Sequence, residues 1–428
     1  MKRKAVALTS VLAVSVLATA GCAPTSSSEE GITLNYWTHV NEPSQIVEQE
    51  LIDAYEAEHP GVTINYLPVD FGSLPAKLNS AIAGGGGPDL FNYFQSYAPG
   101  LASKGYLAPV DFAAFGVADQ AEFDARYTEA IAAGYSDAAG TAIGIPHEVS
   151  TYQFWINNDQ FAAAGLDPVA DYPTTWEQVA TVAAALQSAP GGPEEGIALS
   201  LNNPVRDTLI LDAMARQAGQ GLFSEDGLTA YVDSPEAITA LQTLGDFANV
   251  QKVNNPSLGP TASTNAEDLF GAGTAGMVNV GGAWFEPTLA STYPDISYTV
   301  GQYPTFGLDE IGADLYGFGL YVPVTSAHQA EAWAFARYLA DNADAYFDGA
   351  GVWLGDNETL SGDATASVAN WDVFAEGFSR GHFLPPLVNY NEISQALENA
   401  IQRTVVNGVP AAESLAQAQA EIEPLLAK

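Results

Sequence analysis

The chain has 428 residues, a hydrophobic fraction of 47%, and 51 acidic against 13 basic side chains. That apolar content suits a packed globular core and excludes a disordered chain, and the length suits two or three domains. The formal net charge of -38, with bases standing singly from Lys77 onward, excludes nucleic acid and disfavours strongly anionic partners, because phosphate recognition needs clustered Lys and Arg.

Lys2, Arg3 and Lys4 precede an apolar run from Ala5 to Ala20. The run is shorter than the ~20 residues of a membrane-spanning helix and reads as a secretory signal over residues 1–21. It ends in Thr19-Ala20-Gly21-Cys22, which resembles a bacterial lipobox, where the signal is cut before a cysteine that then carries a lipid. Cys22 is the single cysteine in the chain, so it forms no internal disulfide. Residues 22–30 are small and polar and read as a flexible tether. The expectation is a globular protein outside the cytoplasm, tied to the membrane through a lipid alone. The outer surface of a Gram-positive-type cell is favoured over a periplasm.

Beyond the tether, strands and helices alternate. Ile32 to Trp37 predicts a strand and Ser44 to His59 a helix, with Ile46, Val47, Leu51, Ile52 and Tyr55 at helical spacing. Val62 to Leu67, Leu74 to Ala83 and Asp89 to Phe94 complete a β-α-β-α-β start, the pattern of a mostly parallel sheet. Further strands are predicted at 142–146, 152–157 and 277–284. Thr175 with Gln178, or Thr174 with Glu177, fits a capping box, and Ser234-Pro235-Glu236 starts another helix. His328 to Leu339 is helical. So is 392–426, with a break near Gly408-Val409-Pro410.

Enzyme motifs fail on context. Gly271 to Gly276 spells GxGxxG, but it follows a helical stretch and precedes a strand, the reverse of a dinucleotide turn. Gly84 to Gly87 lacks the Lys-Ser/Thr ending of a phosphate loop, and no serine lies in GxSxG. The five histidines show no metal-ligand spacing. With so many acids, pairs suited to glycoside hydrolysis carry no weight. No cofactor or metal is expected.

The order of short blocks resembles the family 1 extracellular solute-binding proteins, the sugar receptors of ABC importers, a family that includes the maltose receptors. The blocks are Leu34-Asn35-Tyr36-Trp37; Phe71 to Phe94 with Gly87-Pro88-Asp89-Leu90; Ile145-Pro146 through Phe154 to Asp159; Pro173 to Glu177; Phe270 through Gly276 to Trp284; and Tyr316 to Leu339. The resemblance spans about residues 32–428. It implies a two-lobed periplasmic-binding-protein-like α/β fold of type II, with ligand in an interlobe cleft and closure about a hinge. Lobe one is expected at 31–146 plus 318–348, and lobe two at 147–317 plus 349–428.

A sugar presents hydroxyls and an apolar ring face, so its site needs polar side chains beside an aromatic platform. From the resemblance, the candidate ligand-binding residues are Trp37, His39, Asn41, Glu42, Tyr93, Gln95, Glu148, Asn203, Trp284, Phe318, Trp353 and Tyr390. Trp284 is the foremost of them. The acid of the relatives at the first crossing aligns nearer Ser150 than Glu148. Trp155, Trp176 and Trp333 read as core. The expected protein is a monomeric carbohydrate receptor that delivers its ligand, an oligosaccharide, to an ABC permease. Two alternatives remain. One is a polyamine receptor with Glu42, Glu148 and Glu286 in an acidic cleft, and the other is a surface polysaccharide hydrolase.

Overall fold

A computed structural model describes residues 31–426 except 138, 202, 256–264, 308–311, 362–364 and 366–367. The signal, the tether and Cys22 lie outside the described residues. Strand β1 (Ile32–His39), helix α1 (Glu42–Glu58), β2 (Val62–Val69), α2 (Leu74–Ala83) and β3 (Leu90–Phe94) follow as the periodicities predict. The later strands are β4 (Ile145–Thr151), β5 (Phe154–Asn157), β6 (Met277–Val278), β7 (Tyr298–Gly301) and β8 (Leu315–Tyr321).

Two sheets result, a five-stranded one in the order β2-β1-β3-β8-β4 and a three-stranded one in the order β6-β5-β7. The parallel expectation holds for β1 with β2 and β3. It needs correction elsewhere: β8 pairs antiparallel with both β3 and β4, and the small sheet is antiparallel throughout. The β-α-β units govern only the first three strands, because the chain reaches β8 from a distant region. Residues 152–314 leave the end of β4 and return at the start of β8, and the small sheet lies within that excursion. The expected crossings at 146/147 and 317/318 fall inside β4 and β8.

Leu34, Tyr36 and Thr38 alternate along the buried face of β1. Val47, Leu51, Ile52 and Tyr55 line the buried side of α1, and Phe335 sits edge-on to Tyr36 at 5.8 Å. Asp89 joins three segments. Its carboxylate accepts from the Asn35 amide at 2.9 Å and from the Ser326 hydroxyl at 2.7 Å. Beneath the sheet, Glu48 accepts from the Tyr36 hydroxyl at 2.7 Å and from the Tyr66 hydroxyl. Burial lifts Glu48 to about 7, against the pull of these two hydrogen bonds.

Around the small sheet, Trp155 at the centre of β5 donates its indole N–H to the Gly281 carbonyl at 3.0 Å. Trp176 donates to Gln217 at 2.9 Å. Both are fully buried, as is Trp333. The helix Trp176–Ser188 begins with the Thr175–Gln178 capping box, so the Thr174–Glu177 alternative is not the one formed. The helices Pro204–Ala218, Pro235–Asn249, Tyr390–Val405 and Ala411–Leu426 form a packed layer, and the break at 408–410 separates the last two. A Cβ on Gly245 would meet Thr404 Cγ2 at 2.8 Å, which fixes how closely two of these helices approach.

The strand predicted over 277–284 stops at Val278. Gly281 has φ of +114°, and a Cβ on Gly282 would lie 2.2 Å from Ser150 Oγ. Backbone here runs against the end of β4, which only glycine allows. The GxGxxG stretch follows the helix Ala266–Gly271 and leads into β6, so no helix N-terminus stands over it. Among the described residues no helix is long and apolar enough to cross a membrane.

Candidate functional site

β1, β3, β4 and β8 carry residues to one edge of the large sheet, opposite two helix starts. A cavity of about 350 Å³ lies between. On the sheet side it is lined by His39, Val40 and Asn41 leaving β1, Phe71 beyond β2, Phe94 ending β3, Glu148 in β4 and Phe318 in β8. Facing them are Tyr152 just after β4, Asn203, Val205 and Arg206 at the start of the helix Pro204–Ala218, Trp284 at the N-cap position of the helix Phe285–Thr292, and Tyr316.

The apolar part is an aromatic cluster. Phe318 meets Phe94 at 5.4 Å and Phe71 at 5.8 Å, both edge-on, and the His39 ring stacks on Phe318 at 3.9 Å. Across the cavity, Trp284 donates its indole N–H to the Tyr316 hydroxyl at 2.6 Å, and Tyr316 lies 4.8 Å from Tyr152. The Arg206 guanidinium pairs with Glu267 and stands 5.9 Å from the Trp284 ring.

The polar part is set by local structure. Asn203 caps its helix, so its oxygen accepts from the Val205 and Arg206 amides at 3.1 and 3.2 Å. Asn41 caps α1 through the Ser44 amide. A register shift between Pro146 and Glu148 leaves His147 as an extra residue in β4. The bulge lets His147 reach Asn92 at 3.0 Å while Glu148 faces His39, 4.0 Å between Nε2 and Oε2. Burial lowers His39 to about 4, opposed by its hydrogen bond to Asn92, and raises Glu148 to about 7, with Glu48 adding to the rise.

Of the predicted residues, His39, Asn41, Glu148, Asn203, Trp284 and Phe318 come together here. The others lie elsewhere. Trp37 stands two residues before His39 on β1, with Lys77 Nζ 4.5 Å over its ring. Glu42 is exposed in the first turn of α1. Tyr93 packs between Phe91 and Tyr97 on the opposite face of β3. Gln95 donates to the Gly134 carbonyl at 2.9 Å. Trp353 donates to the Asp356 carbonyl at 2.9 Å and packs on Phe378. Tyr390 packs on Phe94 and Tyr97. Glu286 of the acidic alternative is held by Asn370 and Tyr298.

Val40, Phe71, Phe94, Tyr152, Val205, Arg206 and Tyr316 are the lining residues that sequence reasoning missed. Strand alternation offered two of them: Phe94 rather than Tyr93, and Tyr316 two residues before Phe318. Arg206 offered its rarity, a base just inside a helix start in a chain with 13 bases. Phe71 sits in a turn and Tyr152 in the short link between β4 and β5, where no periodicity sets the direction of a side chain.

The family model for bacterial extracellular solute-binding proteins matches residues 41–346. An uncharacterized lipoprotein of Streptomyces antibioticus is 26% identical over 342 residues, 78% of this chain and 72% of the relative. Among solved structures, a solute-binding protein of Thermotoga lettingae bound with alpha-D-tagatose superposes with a TM-score of 0.79 at 22% identity, covering 92% of this chain and 100% of that one. The GacH receptor of Streptomyces glaucescens, solved unliganded and with acarbose, gives 0.79 at 20% identity, covering 92% and 98%. The mixed α/β architecture is therefore that of two-lobed binding proteins, and the chain belongs to the bacterial extracellular solute-binding protein family.

Proposed function

We propose that this protein captures a carbohydrate, an oligosaccharide, in the cavity between β8 and Trp284 and delivers it to an ABC permease. The observation that carries the reading is the make-up of the cavity. Aromatic rings and hydrogen-bonding side chains face one another across it from two separate parts of the chain, as a ring with an apolar face and a polar rim requires. The tagatose and acarbose complexes of the structural relatives support the same class. The protein acts as a binding protein and performs no reaction, in keeping with its family.

Lobe one takes 31–146 plus 318–348 and lobe two 147–317 plus 349–428. A ligand that touches both lobes binds the closed form better than the open one, and that difference drives closure. The protein works as a monomer, held outside the cell membrane by a lipid on Cys22. The lipobox-like ending of the signal supports this anchor, and so does the likeness to the Streptomyces lipoprotein.

The test is thermal unfolding with a panel of mono- and oligosaccharides and with polyamines. A one-site ligand at 100 times its Kd stabilises by about 2.7 kcal/mol. A selective rise in Tm with one family of sugars is expected. A rise with polyamines alone, or with no carbohydrate at all, would overturn the reading.

A further inference from the structure

Glu148 is the cavity's buried carboxylate, and among the described residues no hydrogen-bond donor lies on it. Its one polar contact is His39 Nε2, 4.0 Å from Oε2, beyond hydrogen-bonding range. Arg206, which lines the same cavity, forms no ion pair with it and pairs with Glu267 instead.

Asn92 decides what His39 offers. Its amide oxygen lies 2.9 Å from His39 Nδ1, and its NH2 lies 3.0 Å from His147 Nδ1. An amide oxygen only accepts and an amide NH2 only donates. In this orientation of the Asn92 amide the proton of neutral His39 sits on Nδ1, and Nε2 turns a bare lone pair toward the cavity beside the carboxylate. Once Glu148 is ionised, this corner of the site has two acceptors, one of them charged, and no donor. A hydroxyl carries one proton and satisfies one acceptor. A protonated primary amine carries three and brings the missing charge.

We propose that the ligand is an amino sugar whose ammonium group seats between Glu148 and His39. The inference rests on the carbohydrate reading and narrows it. In the free protein burial holds Glu148 at about 7. The titratable groups around it are His39 from β1, Glu48 from α1, Tyr316 from β8, and Tyr135 behind β4. A cation in the seat favours the carboxylate form, so binding near pH 6 releases a proton.

Calorimetric titration tests this with glucosamine oligosaccharides, their N-acetylated forms and their hydroxyl counterparts. The free-amine form is expected to bind at least tenfold more tightly than either counterpart and to release a proton at pH 6. Glu148→Gln should abolish that preference. Ring-nitrogen NMR of the unliganded protein should place the His39 proton on Nδ1. Equal affinity for the amine and hydroxyl forms would overturn the seat and leave the carbohydrate reading standing. So would the reversed tautomer, with Nε2–H directed at Glu148. No binding of any of these sugars would overturn the seat, and a thermal panel in which spermidine but no carbohydrate raises Tm would overturn both.

Discussion

Two cavities flank β4 and β8. The front one, with His39, Glu148 and Trp284, holds about 350 Å³. The rear one, with Gln95, Tyr135 and Trp353, holds about 850 Å³. Volume alone would assign the ligand to the rear. The polar groups argue otherwise. Behind the strands, Gln95 donates to the Gly134 carbonyl, Trp353 to the Asp356 carbonyl, and Tyr135 to the Phe318 carbonyl at 3.0 Å. These three have their partners, while the neutral Tyr321 hydroxyl on the same cavity has none among the described residues. In front, the Glu148 carboxylate has none within hydrogen-bonding distance among the described residues. An unpaired carboxylate costs more to bury than an unpaired hydroxyl, so the kind of group left unpaired marks the site better than space does.

The largest effect expected from this contrast is on stability and lies at the rear. Trp353 is 3% exposed and packs on Phe378. Trp353→Ala should cost about 3–5 kcal/mol in denaturant unfolding, the usual range for removing a large buried aromatic. Ligand affinity of the folded protein should stay within threefold. A large loss of affinity without a loss of stability would move the site to the rear cavity.

Next comes the carboxylate beneath the front cavity. Burial raises Glu48 from 4.5 to about 7. Between those values the folded state holds a proton that the unfolded state has released. Stability contributed by this group is therefore full below pH 4.5 and falls as pH rises to about 7. The total change is about 3 kcal/mol at 1.36 kcal/mol per pKa unit. Glu48→Gln should remove that slope, which unfolding curves of both proteins at pH 5 and pH 7.5 will show. Parallel pH dependence in the two proteins would mean that Glu48 is ionised when folded.

Much of this architecture was legible from periodicity and caps. The β-α-β start, the Thr175 box and the break at 408–410 all follow from local chemistry, and local chemistry is what forms them. The site was half legible. On β3 the resemblance pointed to Tyr93, but the cavity receives Phe94 and Asn92 lies on the His39 side. Side chains alternate between faces, so a one-residue offset exchanges a site residue for a core one. The predicted strand ending at Trp284 was lost for a different reason. Gly281 and Gly282 leave the ladder because they lie against Trp155 and Ser150, contacts between segments far apart in the chain. Tyr390 and Trp353 had suitable chemistry, but tertiary packing closed over both.

Trp284 sharpens the contrast from the front. It is partly buried, it stands at the N-cap position of its helix, and its N–H is fixed by Tyr316. Trp284→Ala should weaken carbohydrate binding by about 1–3 kcal/mol, the worth of one aromatic side chain withdrawn from water. The variant should unfold close to the parent. Isothermal titration of the folded variant checks this, and unchanged affinity would remove Trp284 from the site.

The smallest effect tests whether front and rear are independent. Tyr135 reaches from the rear cavity to the backbone of the two shared strands, with its hydroxyl 3.0 Å from the Phe318 carbonyl and 3.4 Å from that of Glu148. The side chains of those same residues line the front. Tyr135→Phe removes one buried hydrogen bond and keeps the ring, so stability should fall by only about 1 kcal/mol. If β4 and β8 are held rigidly by their own ladder, ligand affinity will not change by more than about twofold, because the carbonyls can lose a donor without moving the side chains. A larger change would show that the rear tyrosine sets the pitch of the strands that carry Glu148 and Phe318. The two cavities would then act as one device.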